Sequence, residues 1–133
     1  MANKKQPTTK VKKIKLKQKY PIARLFLRAN FNNSIVTLTD LEGKVLTWSS
    51  SGKSGFKGSK KSTPFAAQKA TEEVIAFAKN VGTTSVHVEI KGAGMGRDAF
   101  IRAIQAATLQ VESIKDMTSF AFGGVTLRTR RRV

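Results

Sequence analysis

The sequence predicts an α/β fold: a mixed sheet with the element order β-β-β-α-β-α-β and helices on its faces. Three observations carry this. Five short runs alternate apolar and polar residues with period two, as half-buried strands do. Two other segments repeat apolar residues at spacings of three and four, as an amphipathic helix does. The strands come three in a row and then alternate with the helices, so a meander leads into right-handed crossovers that join the later strands. With 133 residues, 40% of them hydrophobic, there is room for one core and one domain rather than two. No internal repeat is visible.

The first strand is read over 22–29, with Ala23, Leu25, Leu27 and Ala29 on one face and Ile22, Arg24, Phe26 and Arg28 on the other. Asn32-Asn33 supplies a turn that tolerates positive φ, and 35–40 alternates again, which makes a hairpin. Residues 40–43 turn the chain into a third strand over 44–49, where Val45 and Thr47 oppose Leu46 and Trp48, the latter expected in the core. Residues 49–62 carry glycines at 52, 55 and 58 among serines and lysines, and read as a mobile, cationic loop. Thr63-Pro64 then starts a helix: threonine can accept from an orphan N–H, and proline is preset for the first helical position. Ala67, Ala70, Val74, Phe77 and Val81 form its apolar stripe, and Gly82 fits the left-handed residue that ends it. A fourth strand over 84–91 turns Val86, Val88 and Ile90 inward and His87, Glu89 and Lys91 outward. Gly92, Gly94 and Gly96 interrupt the pattern. Helical spacing resumes over 97–109 through Phe100, Ala103, Ile104 and Ala107, and a last strand fits 111–117.

Charge divides the chain differently. Eight lysines and no acid lie in 1–19 and four arginines in 128–133, so the two ends hold 12 of the 25 basic residues. The stretch between sets 13 bases against all 8 acids, about +5 of a net +17. A run of like charge repels itself and gains free energy from a polyanion by releasing that partner's counterions. Three stretches follow: a basic arm over 1–19 that is disordered unless bound to a polyanion, a single α/β domain over 20–118, and a carboxy-terminal extension with a basic tail over 119–133. Nucleic acid is the first such partner to consider, with anionic lipid and acidic protein as competitors. Zero cysteines exclude a disulfide framework, a zinc–cysteine site and a thiol nucleophile. No stretch approaches the roughly 20 apolar residues that span a bilayer, and the amino-terminal end lacks the apolar region of a secretory signal. Neither a membrane partner nor a cofactor is expected.

Two segments bear on chemistry. Lys53, Lys57, Lys60 and Lys61 sit among glycines that let a backbone approach closely, which suits phosphate contact better than a merely solvated loop. Trp48 and Phe56 flank this stretch as possible stacking groups. Gly92, Gly94 and Gly96, followed by Arg97, lie between a strand and a helix, where backbone N–H groups and a forked guanidinium can hold a phosphate. The third glycine falls one residue early for a dinucleotide fingerprint, although Asp116 follows at a suitable distance. A tight turn with no ligand is the competing reading. His87 stands on a strand without a second histidine or a nearby serine or cysteine nucleophile, and is read as structural. The order of elements also suits the ribonuclease H architecture, so a metal-dependent nucleic-acid enzyme is the alternative. Such an enzyme needs carboxylates converging on metal ions. The first strand offers arginines instead; Asp40 and Glu42 sit in a turn, Glu72 and Glu73 on a helix surface, and Asp98 in a helix's first turn.

Several linked motifs resemble one family: 31–40 (Phe-Asn-Asn-Ser-Ile-Val-Thr-Leu-Thr-Asp), Trp48-Ser49-Ser50, Gly55-Phe56-Lys57-Gly58, 61–68 (Lys-Ser-Thr-Pro-Phe-Ala-Ala-Gln) and Gly94-Met95-Gly96-Arg97-Asp98 with Ile101-Arg102-Ala103-Ile104. Together they look like the universal eleventh protein of the small ribosomal subunit, in its bacterial or organellar form. The likeness runs from 22 to 118 and returns at 131–133. It implies a fold with ribonuclease H-like topology, a structural role on the subunit platform, and contacts with small-subunit rRNA and neighbouring ribosomal proteins, with one end near the messenger RNA exit path. It places the protein on a ribosome in the bacterial cytoplasm or in an organelle, with no catalytic activity. Two departures stand out. Gly92-Ala93-Gly94 replaces a usual Gly-Pro-Gly, and 119–126 replaces a proline-rich segment containing His-Asn-Gly-Cys-Arg. The RNA-binding residues expected on these grounds are Lys12, Lys13, Lys15, Lys53, Lys57, Lys60, Lys61, Gly92, Gly94, Gly96, Arg97, Arg102, Arg128, Arg130, Arg131 and Arg132.

Overall fold

A computed structural model describes residues 19–132. Lys12, Lys13 and Lys15, and with them the expectation for the amino-terminal arm, lie outside the described residues. The elements run β1 (Ile22–Ala29), β2 (Ser34–Thr39), β3 (Val45–Ser50), a short 3-10 helix (Gly58–Ser62), α1 (Pro64–Val81), β4 (Ser85–Lys91), α2 (Gly96–Ala106) and β5 (Gln110–Asp116). They form one five-stranded sheet in the order β3-β2-β1-β4-β5. β1–β2 and β2–β3 pair antiparallel, while β1–β4 and β4–β5 pair parallel.

Both crossovers, β3-α1-β4 and β4-α2-β5, step across the sheet in the same direction. Right-handed connection therefore sends both helices to one face. There α1 and α2 pack on each other, α1 on β2 and β3, and α2 on β1. The other face carries no helix. Alternation along the central strands fills the space under the helices: Leu25, Leu27, Val36, Leu38, Val86 and Val88 meet Val74, Phe100 and Ile104, all nearly inaccessible. Burying one such aliphatic side chain contributes about 1.5–3 kcal/mol.

Local chemistry sets the ends of α1. The Thr63 hydroxyl oxygen accepts from the Ala66 N–H at 3.4 Å, Pro64 opens the helix, and Gly82 closes it at φ +84° with its N–H on the Ala78 and Lys79 carbonyls. The buried face is centred on Ala67, Ala70, Thr71, Val74, Ile75 and Ala78, so Phe77 falls on the flank, half-buried. Phe77 belongs to the sequence's apolar stripe, but strict 3.6-residue periodicity through Ala67 and Val74 favours Ala78.

Trp48 departs from expectation: it is 51% exposed. The register between β2 and β3 shifts at Leu38/Thr39, leaving Leu46 as an extra residue that packs against the core. Trp48, opposite Thr37, consequently points to the helix-free face.

Candidate nucleic-acid interface

The lysine loop is folded. Ser51 N–H donates to the Ser34 carbonyl, Ser54 N–H to Ser50 and Phe56 N–H to Ser51, which tie the turn after β3 to the sheet. The 3-10 helix follows, with the Ser62 hydroxyl on the Ser59 carbonyl and the Thr63 hydroxyl on that of Lys60. Phe56 meets Phe65 edge to face at 5.8 Å between ring centroids, an internal contact rather than a free stacking plane. Lys53 is engaged locally although exposed: its ammonium donates to the Trp48 carbonyl at 2.9 Å and sits 4.9 Å from the centre of the Trp48 ring. Lys57 and Lys60 are exposed and Lys61 half-buried, and none of the three makes a side-chain hydrogen bond or ion pair within the described residues. The loop thus projects three unspent ammonium groups from a hydrogen-bonded frame.

The glycine turn is built on another principle. A Cβ on Gly92 would lie 2.2 Å from the Ala29 carbonyl oxygen, one on Gly94 2.6 Å from that of Asn30, and one on Gly96 2.7 Å from the Ala67 Cβ. Gly92 also has φ +100°. These glycines let the β4-α2 connection pass against the end of β1 and let α2 start against α1. Two of the amides offered for a phosphate are already engaged, Gly92 N–H by the Thr118 hydroxyl and Gly94 N–H by the Ala29 carbonyl. Arg97 is engaged as well: it donates to the Gly92 carbonyl at 2.9 Å and forms an ion pair with Asp116. Asp116 accepts in addition from the Thr118 hydroxyl and N–H, at 2.7 and 3.0 Å. Bonds from the Thr118 hydroxyl, then Arg97, then the Thr118 N–H hold its carboxyl well down, at about 2. Arg97, Asp116 and Thr118 form a latch between the glycine turn and the start of the carboxy-terminal extension. Sequence spacing gave no sign of this latch, since its members meet only when β5 pairs with β4.

Arg102 stands exposed on α2 beside Lys79, along a groove of about 500 Å³ between the two helices. Arg128, Arg130, Arg131 and Arg132 are exposed in a stretch without regular structure that also displays Phe120, Phe122, Val125 and Leu127.

His87 does have a serine neighbour, contrary to the sequence reading. A shift in the β4–β5 register at Val86/His87 brings Ser113 within 2.9 Å of His87 Nδ1 and Glu112 within 3.3 Å of Nε2. These groups lie side by side on the strand surface at the β5 edge of the sheet. The acids are dispersed. Asp40 caps its own turn, Glu72 pairs with Lys69, Glu73 accepts from the Ser49 hydroxyl at 2.6 Å, and Asp98 lies in the first turn of α2. Among the described residues no three histidine, cysteine or acidic side chains gather as a metal site.

Among the described residues the acids are thus dispersed, and Lys57 and Lys60 stand outward without an ion pair. The sequence pattern of the family Ribosomal protein S11 matches residues 22–132. The chain belongs to this family. It is 46% identical over 119 residues to the small ribosomal subunit protein uS11c of Cyanidium caldarium, covering 90% of this chain and 92% of that one. It is 50% identical over 107 residues to uS11 of Kosmotoga olearia, covering 80% and 82%. The family match runs through residue 132 and so spans the segment over 119–126.

Proposed function

We infer that this S11-family chain is a structural constituent of the small ribosomal subunit, binds its rRNA, and performs no catalysis. The observation that carries this is the family match over residues 22–132, and the surface accords with it: Lys57, Lys60 and Arg102 face solvent with no ion pair or side-chain hydrogen bond among the described residues. The sheet and helices hold the cationic segments at fixed separations, and a folded RNA presents phosphates at fixed separations in return. Each phosphate neutralised releases condensed counterions, and the rigid frame reduces the ordering cost of every contact after the first.

In this reading the lysine loop supplies Lys57, Lys60 and Lys61 to rRNA phosphates, with Arg102 and the tail arginines as further contacts. The glycine turn keeps the loop's neighbours in register. The ribosome concerned is bacterial or organellar. Neighbouring ribosomal proteins are partners, the platform is the site, and the exposed extension over 119–132 is the part set toward messenger RNA.

Co-sedimentation of a tagged chain with small-subunit particles, followed by crosslinking to RNA, tests the assignment. Crosslinks to small-subunit rRNA through the 57–61 segment are expected. A chain that stays at the top of the gradient contradicts it.

A further inference from the structure

The helix-free face of the sheet is a surface that the proposed contacts do not use. Register places Trp48, Thr37, Phe26, Glu89 and Lys115 in one row across all five strands. Neighbouring strands lie about 4.8 Å apart, so the two aromatics stand about 10 Å from each other. Arg24 lies one row to one side of Phe26, and Arg28, paired with Ile35 and Lys91, one row to the other. Phe26, Ile35 and Met117 line a depression of about 460 Å³ that Arg28 and Lys91 border, together with the one acid Glu89. Arg24, Arg28 and Lys91 make no ion pair or side-chain hydrogen bond within the described residues. One of the face's two acids, Glu112, is already turned to His87.

We propose that this face is a second RNA-binding surface, one that takes unpaired bases rather than duplex. The inference rests on the RNA-binding reading and extends it. Charge selects the occupant: a second copy of this chain, or its own lysine-rich amino-terminal end, would bring more positive charge to Arg24, Arg28 and Lys91. With Arg24, Arg28, Lys91 and Lys115 set against Glu89 and Glu112, the excess of cations favours a polyanion. The exposed indole of Trp48 then distinguishes unpaired RNA from an acidic protein, because bases stack on aromatic planes while duplex bases are already stacked. Lys53 covers the Trp48 ring from the lysine loop, so the face is continuous with the loop's phosphate contacts. Guanidinium groups beside the aromatic row fix the backbone of the same strand.

Trp48 is the chain's single tryptophan, so its emission reports this face directly. The full chain is titrated with a short labelled oligoadenylate, with the same oligomer annealed into a blunt duplex, and with polyglutamate. RNA binding is read by anisotropy and stacking by tryptophan quenching. Quenching by the single strand is expected to exceed that by duplex or polyglutamate. Arg24→Gln with Arg28→Gln is expected to weaken single-strand affinity about tenfold and to lower its salt slope by about 1.4, with an unchanged circular dichroism spectrum. Should the double variant lose structure, Arg28→Gln with Lys91→Gln, both at exposed positions, serves the same purpose. Anisotropy that reports binding while Trp48 emission stays constant overturns the inference and leaves the RNA-binding reading standing. So does quenching that is equal in the arginine variants, or equally strong with polyglutamate. No binding of any RNA removes both.

Discussion

The lysine loop and the glycine turn look alike in sequence, each a glycine-punctuated stretch with basic residues between regular elements, yet they spend those residues in opposite ways. In the loop, Gly55 and Gly58 have open space where a Cβ would go, and Lys57 and Lys60 remain unpaired. In the turn, Gly92, Gly94 and Gly96 are pressed against β1, Ser34 and α1, and Arg97 is bonded at both ends of its fork. Glycine spacing alone therefore does not identify a phosphate cradle. What decides is whether the backbone comes close to its own chain or stands clear of it.

The sharpest way to break this comparison is to add a methyl group at each place. Gly92→Ala combines an unfavourable φ with a collision against backbone, and is expected to cost roughly 3 kcal/mol or more, visible as a large fall in melting temperature or as failure to fold. Gly58→Ala, at φ +60° in open space, is expected to cost only about 1–2 kcal/mol. Equal losses at both sites would mean that backbone conformation, not close approach, dominates in the turn. Next in size is Thr108, a β-branched residue at φ +60° between α2 and β5. Thr108→Asn is expected to stabilise by about 0.5–1 kcal/mol in denaturant unfolding, since asparagine accepts the left-handed region more readily.

The smallest effect sharpens the role of the latch. Folding lowers the Asp116 pKa from its ordinary 3.8 to about 2, so the unfolded state binds more protons. The latch's contribution is thus fully present above about pH 4 and is lost as pH falls through about 2. Thermal unfolding across that window should show the wild-type chain losing its margin over Asp116→Asn. A constant difference from pH 4 to pH 2 would detach Asp116 from the latch.

Much of the fold was legible because it is governed by local period. The alternation of 22–29 gave β1 with both faces assigned correctly, and Thr63-Pro64 with Gly82 gave α1 to the residue. Trp48 was not legible, because a one-residue irregularity in strand register reverses a face and leaves no trace in composition. The same holds for Ser113 and Glu112, brought to His87 by a second register shift. Of the candidate interface, Lys57, Lys60, Arg102 and the tail arginines are where outward-facing charge was expected. Arg97 and Lys53 carry internal bonds, formed with partners that long-range pairing or a local turn supplies. The arginines of β1 were visible from the start, but their significance needs the knowledge that both helices lie on the opposite side.

The measurement that tests the account most directly is the salt dependence of affinity for structured small-subunit rRNA, compared between the wild-type chain and Lys57→Ala with Lys60→Ala. The account predicts an affinity that falls linearly on logarithmic axes, a slope shallower by about 1.4–1.8 in the double variant, and an unchanged melting temperature. Identical slopes in the two chains, or binding indifferent to salt, would contradict it.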